Sequence, residues 1–306
     1  MSNRISWFVI FWLIAVFAFL YAPIISVVIY SFNASKLVTV WGGWSFKWYG
    51  ELAKDRQIIE AAILSLEIAA ISSTLATILG TIAGYVLVRF PKFMGRTAFS
   101  GMVNAPLVMP EVITGLSMLL LFISMQEVYK YAVAGLANQG MGMASEAVRV
   151  GFSWIDGRGL ITVVIAHVTF TMSYIAVVMR SRFITLDMSL EEAAQDLGAK
   201  PLKVFFVITL PIVAPAIVSG WLLGFTISLD DLVITAFTNG PGTTTLPQVV
   251  FSKVRLGLDP KINALATIII TVVSIGVIFA TIHMRRAEKQ RQRDEQMAIR
   301  AIAAKT

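Results

Sequence analysis

Cysteine is absent from the 306-residue chain and histidine occurs only twice. No disulfide framework, thiolate metal site or cysteine nucleophile can be built, although this names no compartment. Charge is scarce as well: 14% of residues are charged, against 57% hydrophobic. Ordinary soluble domains carry about 25% charged and about 45–50% apolar residues, so the composition argues against a water-soluble enzyme and for a membrane protein. The mean hydropathy of +0.77 agrees. No Gly-Lys pair occurs anywhere, which excludes a G-x-x-x-x-G-K-[ST] phosphate loop. If ATP drives this protein, another chain must bind it.

What is present is a series of apolar runs. A helix needs about 20 mainly apolar residues to cross the hydrocarbon core. Six stretches qualify, near residues 7–30, 60–88, 97–125, 160–182, 212–237 and 262–284, and predict an all-α polytopic membrane protein. The run from Trp7 to Tyr30 is too long for a signal h-region and lacks a small-x-small cleavage site, so an uncleaved first span is expected. The net charge of +7 could suggest nucleic acid. Long uncharged stretches separate the charges, however, so the excess reads as an orientation signal and no nucleic-acid partner is expected. With both termini in the cytoplasm, 15 of the 25 Lys and Arg residues fall inside, as the positive-inside rule favours. Trp41, Trp44, Phe46, Trp48 and Tyr49 follow the first span and read as an interfacial anchor in membrane lipid. The mixed-charge run 285–306 reads as a solvated helical tail, with anionic lipid as a sharper alternative.

The stretch 187–211 carries most information. Ser189 and Glu192 form a capping-box pattern that predicts a helix start. Leu190, Ala193, Ala194 and Leu197 recur at i, i+3, i+4 and i+7, giving a narrow apolar face with small residues at its centre. Gly198 suits a left-handed C-terminal cap and Pro201 the first turn of a second helix. Leu202, Phe205, Phe206 and Thr209 continue the pattern to Pro211. The periodicity predicts a helix-turn-helix outside the membrane. It leaves open whether the face docks a partner or folds back on its own bundle.

Glu192-Ala193-Ala194, then Gly198, then Ile208, Leu210 and Pro211 resemble the EAA loop of permease subunits of bacterial type I ABC importers. In that family the loop is a coupling helix seated in a cleft of a separate ATPase. The resemblance implies that role for 189–211, with ATP and Mg held by a cytoplasmic ATPase dimer and no cofactor in this chain. It further implies a second homologous permease subunit, a periplasmic or extracellular substrate-binding protein and a bacterial cytoplasmic (inner) membrane location. Three segments are then expected: 1–58, the first span and aromatic segment; 59–284, the core with five spans and the coupling loop; and 285–306, the tail.

Four acids fall inside predicted spans: Glu67, Glu111, Asp230 and Asp231. A charge near a helix centre costs about 2.5–3.5 kcal/mol on insertion scales, so these side chains should face protein or a water-filled cavity. Adjacent helical residues point about 100° apart, so Asp230 and Asp231 cannot both face one narrow pathway; one of them is free to accept hydrogen bonds. No Lys or Arg lies deep in the spans, so an anionic pathway for a small cationic substrate is expected, against the alternative that the acids only fix helix packing. Pro106 and Pro110 precede Glu111, and a helix broken there would create a site.

The closing segment, with Ser228, Asp230, Asp231, Gly240-Pro241-Gly242, Thr245-Leu246-Pro247 and Asn263 to Thr267, is similar to spermidine/putrescine permeases. That resemblance implies polyamine cargo moved by alternating access, with iron or thiamine as alternative cargoes and a gradient-driven secondary transporter as a different class. The glycine-rich turn reads as a tight turn rather than a phosphate loop. His167 reads as core packing because no partner is apparent at helical spacing, and His283 as interfacial. Met141 and Met143 read as a flexible outer lip. No nucleophile–base pair is apparent, so no enzymatic activity is expected of this chain.

Overall fold

A segment without water around it must satisfy its backbone donors and acceptors internally, and an α-helix does so within a single run of chain. In the computed structural model the apolar runs are accordingly helical. Described are residues 6–37, 40–257 and 259–276, with Ile278, Ile282 and Met297. The helices are α1 (Trp7–Ser31), α2 (Lys47–Leu52), α3 (Arg56–Arg89), α4 (Arg96–Val108), α5 (Glu111–Asn138) and α6 (Gly142–Gly151). They continue with α7 (Leu160–Thr185), α8 (Ser189–Asp196), α9 (Pro201–Val204), α10 (Leu210–Asp230), α11 (Val233–Thr238), α12 (Leu246–Leu256) and α13 (Pro260–Gly276). Among the described residues the only extended pairing is an isolated bridge between Asn33 and Trp44.

Among the described residues five helices are long and apolar enough to cross a membrane: α1, α3, α5, α7 and the continuous run Pro201–Asp230. The sixth expected span begins as α13, a shorter apolar helix. Its continuation towards 284, His283 and the tail 285–306 apart from Met297 lie outside the described residues.

Three expectations about the spans are corrected. The run 97–125 is not one helix: α4 ends at Val108, Met109 turns extended at ψ 137° and α5 restarts at Glu111. Pro110 lacks the N–H that would continue the ladder and pushes Met109 out of helical conformation. The span therefore shifts to Glu111–Asn138, prolonged by the good helix formers after Met125. The run 212–237 breaks at Asp231, which has φ −66° and ψ 123°, before α11 begins. At its other end it does not stop at Pro211, because a π-helical turn, Phe205–Thr209, joins α9 to α10. The expected flexible lip is helical from Gly142: Met143 lies in α6 and is 91% exposed, and Met141 is the residue just before it.

The chain divides into two compact units, Met1–Arg56 with Ser252–Thr306, and Gln57–Phe251. In the first, Asn33 organises the turn after α1: its Oδ1 accepts from Gly42 N–H at 2.7 Å and its carbonyl accepts the Trp48 indole N–H at 2.6 Å. Trp48 is 5% exposed, so it packs inside its unit rather than anchoring in lipid, while Trp44 and Phe46 are exposed as an anchor requires. Asp55 accepts from both Lys253, at 3.0 Å, and Lys261, at 2.6 Å.

In the second unit glycines let helices meet backbone to backbone. A Cβ at Gly80 would lie 3.0 Å from the Met172 carbonyl of α7, and one at Gly84 3.0 Å from the Arg180 nitrogen. Gly220 and Gly224 of α10 instead make room for the Ile175 side chain of α7, whose methyl groups would lie 3.3 Å and 2.8 Å from a Cβ at each. These are two small-xxx-small pairs, the pattern that brings helices close where lipid supplies no hydrophobic drive. Helix α7 is thereby central: Ile175, Met179 and Phe183 are fully buried beside Ala76 and Val213.

Candidate functional site

The two helix breaks meet at one place. Glu111 opens α5 and Asp230 closes α10, and both line a cleft of about 350 Å³ with Asp231, Thr226, Phe170 and Tyr174. Non-helical backbone at membrane depth is tolerated where it lines a cavity or is buried in protein, and this arrangement satisfies that rule. Glu111 and Asp230 are both exposed to the cleft, and neither has a hydrogen-bond or ion-pair partner among the described residues. The negative end of the α10 dipole falls at Asp230, adding to the attraction for a cation there. Phe170 and Tyr174 sit one turn apart on α7 with ring centroids 5.2 Å apart, and aromatic faces attract cations within about 6 Å. The cleft can thus hold positive charge by carboxylate, dipole and ring together.

Asp231 behaves differently. Its Oδ1 accepts from Ile234 N–H at 3.2 Å, and its Oδ2 accepts from Thr235 N–H at 2.7 Å and the Thr235 hydroxyl at 2.6 Å. It caps α11 while its neighbour stays free. Nor does it lack a partner within the bundle: His167 Nε2 lies 3.3 Å away. The expectation that His167 has no clustered partners is corrected by this pairing, which links residues 64 apart in number and is invisible to helical spacing. Glu67 also departs from the expected group. It is exposed on α3 and is not among the residues lining the cleft.

A second site forms at 187–211. Helix α8 starts at Ser189, but the capping box does not form. The Asp187 carboxylate accepts the Ser189 N–H at 3.0 Å, and this bond, with the Ser189 side chain, holds its pKa below the usual carboxylate value. Gly198 has φ +84°, its N–H donates to Gln195 O at 2.8 Å and Ala199 N–H donates to Ala194 O at 3.1 Å. These two bonds make a Schellman cap, which only a residue tolerant of left-handed conformation can close.

The predicted apolar face does not fold back on the bundle. Leu190 is 47% and Leu197 90% exposed, Ala193 and Glu192 are exposed and Ala194 is half-buried. Beyond Pro201, Leu202 and Phe206 are exposed too, whereas Ile208 and Leu210 are half-buried and Pro211 is exposed. What ties this loop to the bundle is Glu191, which the sequence pattern did not single out. It meets Arg89 at 3.0 Å and accepts the Thr209 hydroxyl at 2.8 Å. The double acid Glu191-Glu192 was visible, but which carboxylate turns inward depends on where Arg89 ends α3.

Residues 76–293 match the family described as the binding-protein-dependent transport system inner membrane component. Over 297 residues, 97% of each chain, this one is 54% identical to the putrescine transport system permease protein PotI of Escherichia coli K12. It is 39% identical over 263 residues to the spermidine/putrescine transport system permease protein PotC of Haemophilus influenzae, covering 86% of this chain and 90% of that one. Among solved structures it resembles a bacterial ABC transporter involved in import of the acidic polysaccharide alginate, with a TM-score of 0.65 at 19% identity, over 90% of this chain and 92% of that one. A bacterial alginate ABC transporter in complex with an alginate pentasaccharide-bound periplasmic protein gives a TM-score of 0.63 at 17% identity, over the same shares. At such identities the likeness speaks for the fold alone.

Proposed function

From the premise that this chain belongs to the binding-protein-dependent transport system inner membrane component family, we propose that it is the permease subunit of an ATP-driven polyamine importer. It is a multi-pass protein of the bacterial cytoplasmic membrane and a transport component. The relative at 54% identity is named for putrescine, and those named for spermidine and putrescine are more distant, so putrescine is the first cargo to try. The observation that carries the cargo reading is the pair of unpartnered carboxylates, Glu111 and Asp230, at two helix breaks facing one cleft. Fold alone does not set cargo charge, because the alginate transporter shares the fold and is named for an acidic cargo. Carboxylates beside Phe170 and Tyr174 suit an alkyl diammonium: charged ends meet anions while methylenes lie on rings.

The remaining parts follow the same reading. Both termini face the cytoplasm, which puts 187–211 on that side. A substrate-binding protein delivers cargo to the outer mouth, and a second homologous permease completes the pathway. A separate ATPase dimer, holding ATP and Mg, receives α8 through Leu190, Ala193, Ala194 and Leu197. Small residues at the centre of that exposed face permit close approach. ATP binding displaces the loop, the spans rock, and cargo leaves inward. Glu111 and Asp230 attract the cation without covalent chemistry and without a fixed counter-charge to compete for them.

The test is ATP-driven uptake of labelled putrescine and spermidine into proteoliposomes holding the assembly that co-purifies with this chain. Uptake dependent on ATP and on a binding protein supports the reading. Gradient-driven uptake by the purified chain alone overturns it in favour of a secondary transporter. ATP-dependent uptake of iron or thiamine instead of polyamines would reassign the cargo.

A further inference from the structure

His167 stands at the centre of a buried polar cluster that no step above uses. It is 2% exposed, and both ring nitrogens are engaged. Nδ1 lies 2.7 Å from the Ser228 hydroxyl of α10, and Nε2 lies 2.8 Å from the Thr235 hydroxyl of α11. The Thr235 hydroxyl has one proton and donates it to Asp231 at 2.6 Å, so only its lone pairs face the ring. Nε2 therefore carries a proton, and in the neutral ring Nδ1 accepts from Ser228. One side chain of α7 thus holds the chain on both sides of the α10–α11 break.

We infer that His167 is a positioning residue for the cation cleft, holding Asp231 and the broken backbone so that Asp230 is presented to the cargo. This rests on the reading of Glu111 and Asp230 as cation-binding groups. Asp230 has no side-chain partner of its own among the described residues, so its direction depends on the backbone that bears it. That backbone leaves the helix at Asp231 and would be free to vary there, since a break forfeits the ladder bonds that fix a helix. Three groups restrain it: Ser228 two residues before Asp230, the Asp231 carboxylate one residue after, and Thr235 in the following turn. All three converge on the imidazole. An apolar side chain of similar volume would fill the space but leave the buried Ser228 hydroxyl unpaired and take the ring N–H away from the Thr235 hydroxyl and the Asp231 carboxylate, and such losses are costly at low dielectric.

The experiment uses the full transporter reconstituted with its ATPase and a putrescine-loaded binding protein at saturation, and reads uptake rate per assembled complex. His167→Leu is expected to lower the rate about tenfold, as Asp230→Asn does, and the double variant to fall no further than either single one. His167→Gln, whose amide N–H can serve Thr235 and whose carbonyl can serve Ser228, should regain most of the rate. Losses that multiply in the double variant, or a glutamine variant no better than leucine, would assign His167 to general packing and overturn the inference. Unchanged uptake with Asp230→Asn would instead remove the cation-cleft reading, a failure told apart by that single variant. If His167→Leu does not assemble, Thr235→Val, which removes the hydroxyl between ring and carboxylate, carries the same cycle and the same two outcomes.

Discussion

The Arg89 guanidinium at the end of α3 meets the Glu191 carboxylate of α8 at 3.0 Å, and both side chains are less than a tenth exposed. The pair joins segments 102 residues apart and is completed by the Thr209 hydroxyl of the π-helical turn. Three pieces of the proposed transmission line therefore share one carboxylate. Rigid connection matters here because a push on α8 moves the spans only if the loop cannot tilt independently. π-turns recur at functional positions, and this one sits where α9 runs into α10.

Glu191→Ala should destabilise the protein by about 3–5 kcal/mol, because it strands a buried guanidinium. Glu192→Ala, at an exposed position, should leave stability nearly unchanged. The double variant Arg89→Met with Glu191→Leu should recover thermal stability in detergent while uptake per ATP hydrolysed stays low. Equal unfolding temperatures for the two glutamate variants would show that the pair contributes little.

Gly198 tests the loop through backbone conformation alone. A Cβ there meets nothing within 4 Å, so space is not the constraint; φ +84° is. Gly198→Val should distort the Schellman cap and reduce uptake with membrane insertion intact, whereas Gly198→Asn should be mild because asparagine tolerates left-handed backbone. Matching effects from valine and asparagine would mean that the cap conformation is not what coupling requires.

The carboxylates should separate by place in the fold. Glu111→Gln and Asp230→Asn should each reduce polyamine uptake at least about tenfold without loss of the assembled complex. Asp231→Asn should lower stability as well, since it weakens the cap on α11 and the contact with His167. Glu67→Gln, outside the cleft, should transport normally. A strong uptake defect from Glu67→Gln with none from Asp230→Asn would move the pathway away from this cleft.

This separation was partly legible in the sequence. Hydropathy located the apolar helices, and Pro110 marked a break, since proline acts through its own covalent geometry. The left-handed Gly198 was readable for the same local reason. The break at Asp231 was not, because nothing in Ser-Leu-Asp-Asp forbids helix; His167 and the start of α11 hold the chain out of it. Glu191 was hidden among neighbours of like character, and its partner Arg89 looked like an ordinary positive-inside residue. Trp48 read as an anchor because composition gives the headgroup preference of a ring but not the acceptor, Asn33 O, that buries it. Local chemistry was readable, and pairings across long separations were not.

Gly240 gives a sterically decided test. A Cβ on it would fall 1.8 Å from the Arg158 carbonyl oxygen, a distance no adjustment of a side chain can relieve. Gly240→Ala should therefore displace the turn that follows α11 and lower the yield of folded protein, while Gly242→Ala, with open space and φ +76°, should cost only about 1–2 kcal/mol. Normal yield from Gly240→Ala would mean that the Arg158 loop moves freely.

Orientation can be settled at Lys200, which is exposed between Gly198 and the start of α9. The chain has no cysteine, so Lys200→Cys introduces a single thiol without any background to remove. A membrane-impermeant maleimide should label it in inverted vesicles and leave it untouched in intact spheroplasts. Adding the ATPase before the reagent should protect it, because the thiol would lie beside the exposed face of Leu197 and Leu202. Labelling from the outside would invert the topology and, with it, the assignment of 187–211 to the ATPase. Cytoplasmic labelling without protection would keep the topology but place the docking contact elsewhere on the loop.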